Sequence, residues 1–331
     1  MRTRRTHYLS RIAYHALPAT FLCGFVPAAA CAQTYPVKPV RLVSPFPPGS
    51  SADFTSRLFA PGLGELLGQQ FVVDNRPGAA GNIGAELVAR AAPDGYTLLT
   101  APASLATSAA LYKKLTFHLA RDFQAVALLT SSPHVLAVRQ TLPAKSVKEL
   151  VALAKARPGQ LTYASTGVGS SSHLTMELFR LNTGIDFIHV PYKGSANTVP
   201  DLIGGQVDMT MSSAISLLPH IKAGRIRALA ITSAQRSSVA PDLPTIAESG
   251  FPGFESETWA ALVGPAGMPG GIVRQLNAAI AKIVKMPDVA DRIAAQGATS
   301  RVGTPEQART FIKTELEKWA KVIAAAGIRA E

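Results

Sequence analysis

The stretch Leu42-Val43-Ser44-Pro45-Phe46-Pro47-Pro48-Gly49-Ser50-Ser51-Ala52-Asp53 decides the fold. It reads as the end of an apolar strand, a loop of prolines, glycine and hydroxyls, and then Asp53 opening a helix. A helix start collects backbone N–H groups without intrahelical partners and the positive end of the macrodipole. It therefore holds an anion without any cationic side chain. The same residues also read as an ordinary strand-to-helix turn capped by Asp53. Taken alone, the loop fits both.

Outward from this loop, strand and helix alternate. Val40–Ser44 predicts a strand, residues 53–67 a helix and 71–74 a strand; Pro77-Gly78-Ala79-Ala80-Gly81-Asn82 then turns into a helix ending near Ala91. Pro93-Asp94-Gly95 is a turn before the strand at 96–100. Residues 126–129 and 135–138 read as two buried strands broken by Ser131-Ser132-Pro133. A second series follows: helix Val147–Ala156, strand 161–164, loop 165–172, helix 173–181 and strand 187–190. A helix ending at Gly204-Gly205 precedes strands at 207–211 and 226–232. The segment 241–253 is loop-like, 259–263 is again apolar, and 270–285 and 305–325 are helical. Alternation of this kind predicts an α/β protein with mainly parallel sheets flanked by helices. Two such series with a late return predict two lobes joined by two crossing segments, with a ligand between them.

Composition narrows the function. The chain has 331 residues, 47% of them hydrophobic and 16% charged, which suits globular cores. Arg2, Arg4, Arg5 and Arg11 precede an apolar run at 16–26, and Ala28-Ala29-Ala30-Cys31-Ala32 follows. This is an export signal with cleavage near Ala32, and its apolar run is too short for a permanent span. Lipid attachment at Cys31 lacks the large aliphatic residue three positions upstream, where Ala28 stands. Both cysteines, Cys23 and Cys31, leave with the signal, so disulfides, thiolate metal sites and cysteine nucleophiles are excluded from the mature protein. With no later run of about twenty apolar residues, a soluble periplasmic product is expected. The net charge of +12 falls to about +8 without the four arginines. What remains is scattered, without the basic-aromatic clusters of a nucleic-acid binder.

A second loop, Ser165-Thr166-Gly167-Val168-Gly169-Ser170-Ser171-Ser172-His173, again follows a strand and opens a helix. Its glycines permit close backbone approach, and its amides and hydroxyls are neutral donors. The lysine of a phosphate loop is absent, and the G-x-G pattern is incomplete for a dinucleotide site. In Pro102-Ala103-Ser104-Leu105-Ala106-Thr107, Ser104 and Thr107 fit either ligand donors or local helix caps. There is no G-x-S-x-G elbow, no H-E-x-x-H motif and no carboxylate pair at metal-ligand spacing. His173 reads as a cap or packing residue rather than a base, and Asp208 as a strand end. No enzyme activity, cofactor or metal is expected.

The ordered set of motifs resembles the Bug-type solute receptors, the extracytoplasmic binding proteins of tripartite tricarboxylate transporters. Its marks are Pro45-Phe46-Pro47-Pro48-Gly49 with Asp53, Asn75-Arg76-Pro77-Gly78-Ala79 with Gly81-Asn82-Ile83-Gly84, and Pro93-Asp94-Gly95-Tyr96-Thr97-Leu98. Further on come the loop at 165–173, Val190-Pro191-Tyr192-Lys193-Gly194, Asp201-Leu202 with Gly205-Gln206-Val207-Asp208, and Pro241-Asp242-Leu243-Pro244-Thr245 with Glu248-Ser249-Gly250 and Pro252-Gly253-Phe254. The resemblance implies a two-lobed Venus-flytrap fold, with residues 35–132 and 255–331 in one lobe and 133–254 in the other. It implies a small organic acid held in the cleft by loop amides, hydroxyls and water. Phe46, Pro47, Pro48, Gly49, Ser50, Ser51, Ala52 and Asp53 would cradle one carboxylate. Ser165, Thr166, Gly167, Gly169, Ser170 and His173 would close from the other lobe, with Ser104, Thr107, Tyr192, Asp208 and Ser212 bordering the cleft. Small and large permease subunits would be the partners of a monomeric receptor. The alternative is a sensor that hands its closed form to a signalling protein. Two departures bear on specificity: Ser50 stands where the family usually has glycine, and Ser212 where many relatives have an acid.

Overall fold

β1 (Val40–Ser44) hands over to α1 (Ser51–Leu67), and β2 (Phe71–Asn75) returns parallel to it. The computed structural model in which these elements are seen describes residues 35–112, 114–192, 197–238 and 240–329. The export signal, its cleavage near Ala32, Cys31 and the Lys193-Gly194 turn lie outside the described residues. α2 (Asn82–Ala89) and β3 (Thr97–Pro102) repeat the step and place β3 on the other side of β1. α3 (Ser104–Leu111) and the long β4 (Phe123–Arg139) complete the first series.

The second series runs α4 (Val147–Ala156), β5 (Thr162–Ser165), α5 (Ser171–Thr183) and β6 (Ile188–Pro191). It continues through α6 (Thr198–Ile203), β7 (Met209–Ser213), α7 (Ala214–Lys222) and β8 (Ile226–Ile231). The chain returns by β9 (Glu257–Pro265), α8 (Gly270–Ile283), α9 (Pro287–Ala295), the short β10 (Thr299–Ser300) and α10 (Pro305–Ala326). α10 starts in a capping box, where Thr304 accepts from the Gln307 amide and Gln307 reaches back to the Thr304 amide.

The strands lie in the order β2-β1-β3-β9-β4-β7-β5-β6, with β8 and β10 also paired to β4. Pairing is parallel on the two flanks and antiparallel around β4 and β9, the strands that carry the chain between the two halves. Strand residues alternate between faces, and both faces are covered. Val43, Leu99, Ala125 and Val263 pack with α3 and α10, whereas Leu42, Leu98, Val126 and Leu262 pack with α1 and α8. Leu136, Tyr163, Met209 and Met211 do the same under α5, and Val135, Ala137 and Ala164 under α6 and α7. Each half is thus a sheet between helices, which is why its strands are continuously apolar.

Three local expectations change. The two strands expected at 126–129 and 135–138 are one strand, because the Ser131-Ser132-Pro133 segment exchanges neighbours rather than turning. Pro133 is the last residue of β4 in register with β9, opposite Glu257, and His134 is the first opposite β7. A residue without an N–H is tolerated at such a seam. The helices expected to open at Asp53 and His173 begin two residues earlier, at Ser51 and Ser171, because Ser50 and Ser170 cap them. α7 and α9 were not expected from the periodicity; both are short, and α7 carries Pro219.

Where β4 crosses between the halves, Thr232 ties it to the returning chain. The Thr232 hydroxyl accepts from the His134 amide at 2.8 Å and donates to the Ser256 carbonyl. The backbone reinforces this, with the Thr232 amide on the His134 carbonyl at 3.0 Å and the Ser256 amide on the Thr232 carbonyl at 2.9 Å. Thr232 is fully buried. Thr232→Val keeps the shape and leaves the buried His134 amide without its partner, so we expect a loss of about 1–3 kcal/mol in urea unfolding. A loss indistinguishable from zero would show that the hydroxyl carries no weight at this crossing.

Candidate functional site

The two loops singled out in the sequence adopt the same structure. In the first, Ser50 is the N-cap of α1, and its Oγ accepts from the Asp53 amide at 3.2 Å. In the second, Ser170 is the N-cap of α5, and its Oγ accepts from the His173 amide at 3.3 Å. The residue three positions after each cap reaches back: Gly49 N–H donates to Asp53 Oδ2 at 2.9 Å, and Gly169 N–H donates to His173 Nδ1 at 3.0 Å. Gly49 and Gly169 have φ of 82° and 74°, values that favour glycine. The amides of Ser50 and Ser170 close the preceding turns onto the Pro47 and Gly167 carbonyls, both at 3.2 Å. The cap expected at Asp53 is therefore Ser50, and the Asp53 carboxylate locks the loop.

This interlock leaves the next two amides of each helix, at Ser51-Ala52 and Ser171-Ser172, without intrahelical acceptors. Residues from both starts line one cavity of about 270 Å³: Phe46, Ser50, Ser51 and Ala52 with Gly169, Ser170 and Ser171. The start of α3 joins them through Pro102, Ala103, Ser104 and Thr107. No side chain caps α3, and the buried Ser104 Oγ has no hydrogen-bond partner. Three positive helix ends and a set of hydroxyls thus face one space, and among the described residues its lining carries no lysine or arginine.

The other expected residues do not line this cavity. Pro47, Pro48 and Gly49 shape the loop, and Asp53 is buried, accepting from Arg57 at 3.0 Å and Asn75 at 2.8 Å. Burial pushes the Asp53 carboxyl up, but the bonds from Arg57, Gly49 and Asn75 outweigh it and hold it below the usual carboxylate range. Ser165 Oγ pairs with His189 Nε2 at 2.6 Å, and the Thr166 amide donates to Ser172 Oγ. Gly167 has φ 137° and receives the Ser170 hydroxyl on its carbonyl. Tyr192 donates to Asp201 at 2.6 Å. Asp208 accepts from Arg139 and from the Thr162 amide, bracing β4 against β5, and Ser212 lies buried on β7. Among the described residues no group of three or more His, Cys, Asp or Glu could hold a metal.

The cavity also takes in residues that the sequence reading missed. Ser256, Glu257, Thr258 and Trp259 enter from the returning segment and the start of β9, and Trp319 enters from α10. The chain has only two tryptophans, and both stand here, a signal available in the composition. Their indole N–H groups are both held by one buried carboxylate oxygen, Glu315 Oε2, at 2.9 and 3.0 Å. Glu315 in turn pairs with Lys318.

Comparison with known proteins places this geometry. A family model described as "Tripartite tricarboxylate transporter family receptor" matches residues 55–328. Protein BugT of Bordetella pertussis is 40% identical over 306 residues, covering 92% of this chain and 94% of BugT. The solved structure of R. palustris Rpa4515 with adipate is 38% identical with a TM-score of 0.73, covering 89% of this chain and 99% of the other. MatC from Rhodopseudomonas palustris with bound malate is 33% identical with a TM-score of 0.69, covering 87% and 100%.

Neutral histidines belong to this architecture. His173 Nδ1 accepts from an amide, so it carries no proton, and the ring stacks on His189 at 4.0 Å. Burial, then His189, brings His173 down to about 4; burial brings His134 at the β4 seam to about 4 as well. Between these values and the ordinary histidine range the unfolded chain binds more protons than the folded one. Stability is therefore complete above about pH 6.5 and falls as pH drops toward 4, by about 2–4 kcal/mol between pH 7 and 4.5. Urea unfolding across that range measures it. His173→Asn, whose amide oxygen can still accept from Gly169, should flatten the slope; an unchanged slope would remove His173 from this account.

Proposed function

From the premise that this chain belongs to the tripartite tricarboxylate transporter receptor family, we propose that it captures a small carboxylate in the cavity between α1, α3 and α5. The family is one of periplasmic binding proteins that serve transport rather than catalysis, and this chain is such a solute receptor. The observation that carries the choice of ligand is the convergence of three helix starts on a lining that, among the described residues, has no lysine or arginine. Each helix end contributes about 0.3–1 kcal/mol toward an anion, and a hydrogen bond to a charged group about 1.5–3 kcal/mol. That Rpa4515 and MatC were solved with adipate and malate agrees with this class of ligand.

In this reading, residues 35–132 with 255–331 and residues 133–254 act as two lobes. The crossings at Pro133-His134 and Ser256-Glu257 are the hinge. Closing brings the Ser170 jaw onto the Ser50 jaw and dries the cleft, which strengthens neutral hydrogen bonds to a carboxylate. Ser50 spends its hydroxyl on the cap, so its contribution to the ligand is the stiffness it gives to the Ser51 and Ala52 amides. The export signal is removed near Ala32, and the loaded receptor delivers its ligand to small and large permease subunits in the membrane.

A thermal-shift panel of mono-, di- and tricarboxylates tests the reading: a ligand at a hundred times its Kd should stabilise by about 2.7 kcal/mol. If neutral solutes raise Tm and no carboxylate does, the reading falls. Ser104→Ala removes a hydroxyl that has no protein partner, so apo stability should stay within about 0.5 kcal/mol. Calorimetric affinity for the carboxylate should fall about three- to tenfold. Unchanged affinity would take Ser104 out of the site. Because the site has neutral donors, affinity should change by no more than about threefold between 50 and 300 mM salt.

A further inference from the structure

Among the described residues, Glu257 is the only titratable side chain on the wall of the 270 Å³ cavity. It opens β9, its side chain is about 10% exposed, and its Oε2 accepts from Ser131 Oγ and from Arg301 Nη1, both at 2.5 Å. Arg301 is shared, since its other nitrogen binds Glu255 at 3.2 Å. The other nearby cation, Lys318, is committed to Glu315 and to the Glu255 carbonyl. Three carboxylates, Glu255, Glu257 and Glu315, thus stand against two cations on this side of the cavity. Burial pushes the Glu257 carboxyl up from its ordinary value, in keeping with a charge that is incompletely offset.

The rest of the wall offers little to a second anionic group. The indole N–H donors of Trp259 and Trp319 are both taken by Glu315, so the rings present carbon to the cavity. Phe46, Ala52, Pro102 and Ala103 add more apolar surface. One carboxylate can sit at the helix starts. A second one in so small a space would meet an acceptor-only carboxylate at Glu257, with no lysine or arginine among the described lining residues to balance it.

We propose that this receptor selects monocarboxylates with an apolar body and disfavours dicarboxylates, with Glu257 as the discriminating residue. The proposal rests on the reading of the cavity as a carboxylate site and narrows its ligand class. An ionised ligand group beside Glu257 loses affinity through like-charge repulsion, and an aliphatic or aryl group in the same place gains it by covering the tryptophan rings.

Titration calorimetry of the mature chain at pH 7.5 with skeleton-matched pairs tests this: hexanoate against adipate, and benzoate against terephthalate. The monocarboxylate of each binding pair should bind at least tenfold more tightly. Glu257→Gln should bring the dicarboxylate to within about threefold of its partner. The wild-type ratio decides the matter even if the variant folds poorly, and the variant's apo Tm reports its folding. A wild-type dicarboxylate that binds as well as or better than its monocarboxylate overturns the proposal. So does a discrimination ratio that folded Glu257→Gln leaves intact. Binding of malate but of neither pair overturns this proposal alone, whereas binding of no carboxylate of any kind overturns the reading on which it rests.

Discussion

The structure around the site depends on one repeated constraint: a serine N-cap locked from behind by the side chain three residues ahead. In Gly49-Ser50-Ser51-Ala52-Asp53 and in Gly169-Ser170-Ser171-Ser172-His173, one serine hydroxyl and one N3 acceptor consume the amides flanking the helix start. What is left exposed is the same pair of amides in each case, aimed by a glycine in the left-handed region. Each loop holds these amides without local rearrangement, because its geometry is fixed by bonds made elsewhere. The two locks differ in one respect. Asp53 is held charged by Arg57 and Asn75, whereas His173 must stay neutral to accept from Gly169.

The second constraint is the seam on β4. One strand serves both halves, so its first part is in register with β9 and its last part with β7 and β8. Pro133 marks the change, and Thr232 stitches His134 to Ser256 across it. The same seam carries Glu257, the residue in register with Pro133. The segment that joins the halves therefore also supplies the one titratable side chain among the cavity's described lining residues.

Packing explains why the cavity is apolar despite its hydroxyls. α10 lies against α3 and α5 and brings Trp319 beside Trp259, and Glu315 takes both indole donors. A buried carboxylate with two N–H donors and Lys318 is well satisfied, and both rings are fixed by it. The aromatic walls are thereby held in place and their indole N–H donors are taken.

Sequence alone determined the alternation of strand and helix, the two hydroxyl-glycine loops and the family pattern, because these depend on local periodicity, turn chemistry and residues adjacent in the chain. It also singled out Ser104 and Thr107, which line the same cavity as the two loops. Tertiary structure decided the rest. That Ser50 rather than Asp53 is the cap depends on where the helix dihedrals begin, and the bond from Asn75 to the buried Asp53 joins residues 22 positions apart in sequence. Ser131-Ser132-Pro133 has the composition of a turn, yet it is strand because β9 and β10 supply partners on either side. Glu257, Trp259 and Trp319 reach the cavity from segments more than 80 residues beyond the second loop. Only the return of β9 beside β4, and the packing of α10 across both, brings them to the ligand loops.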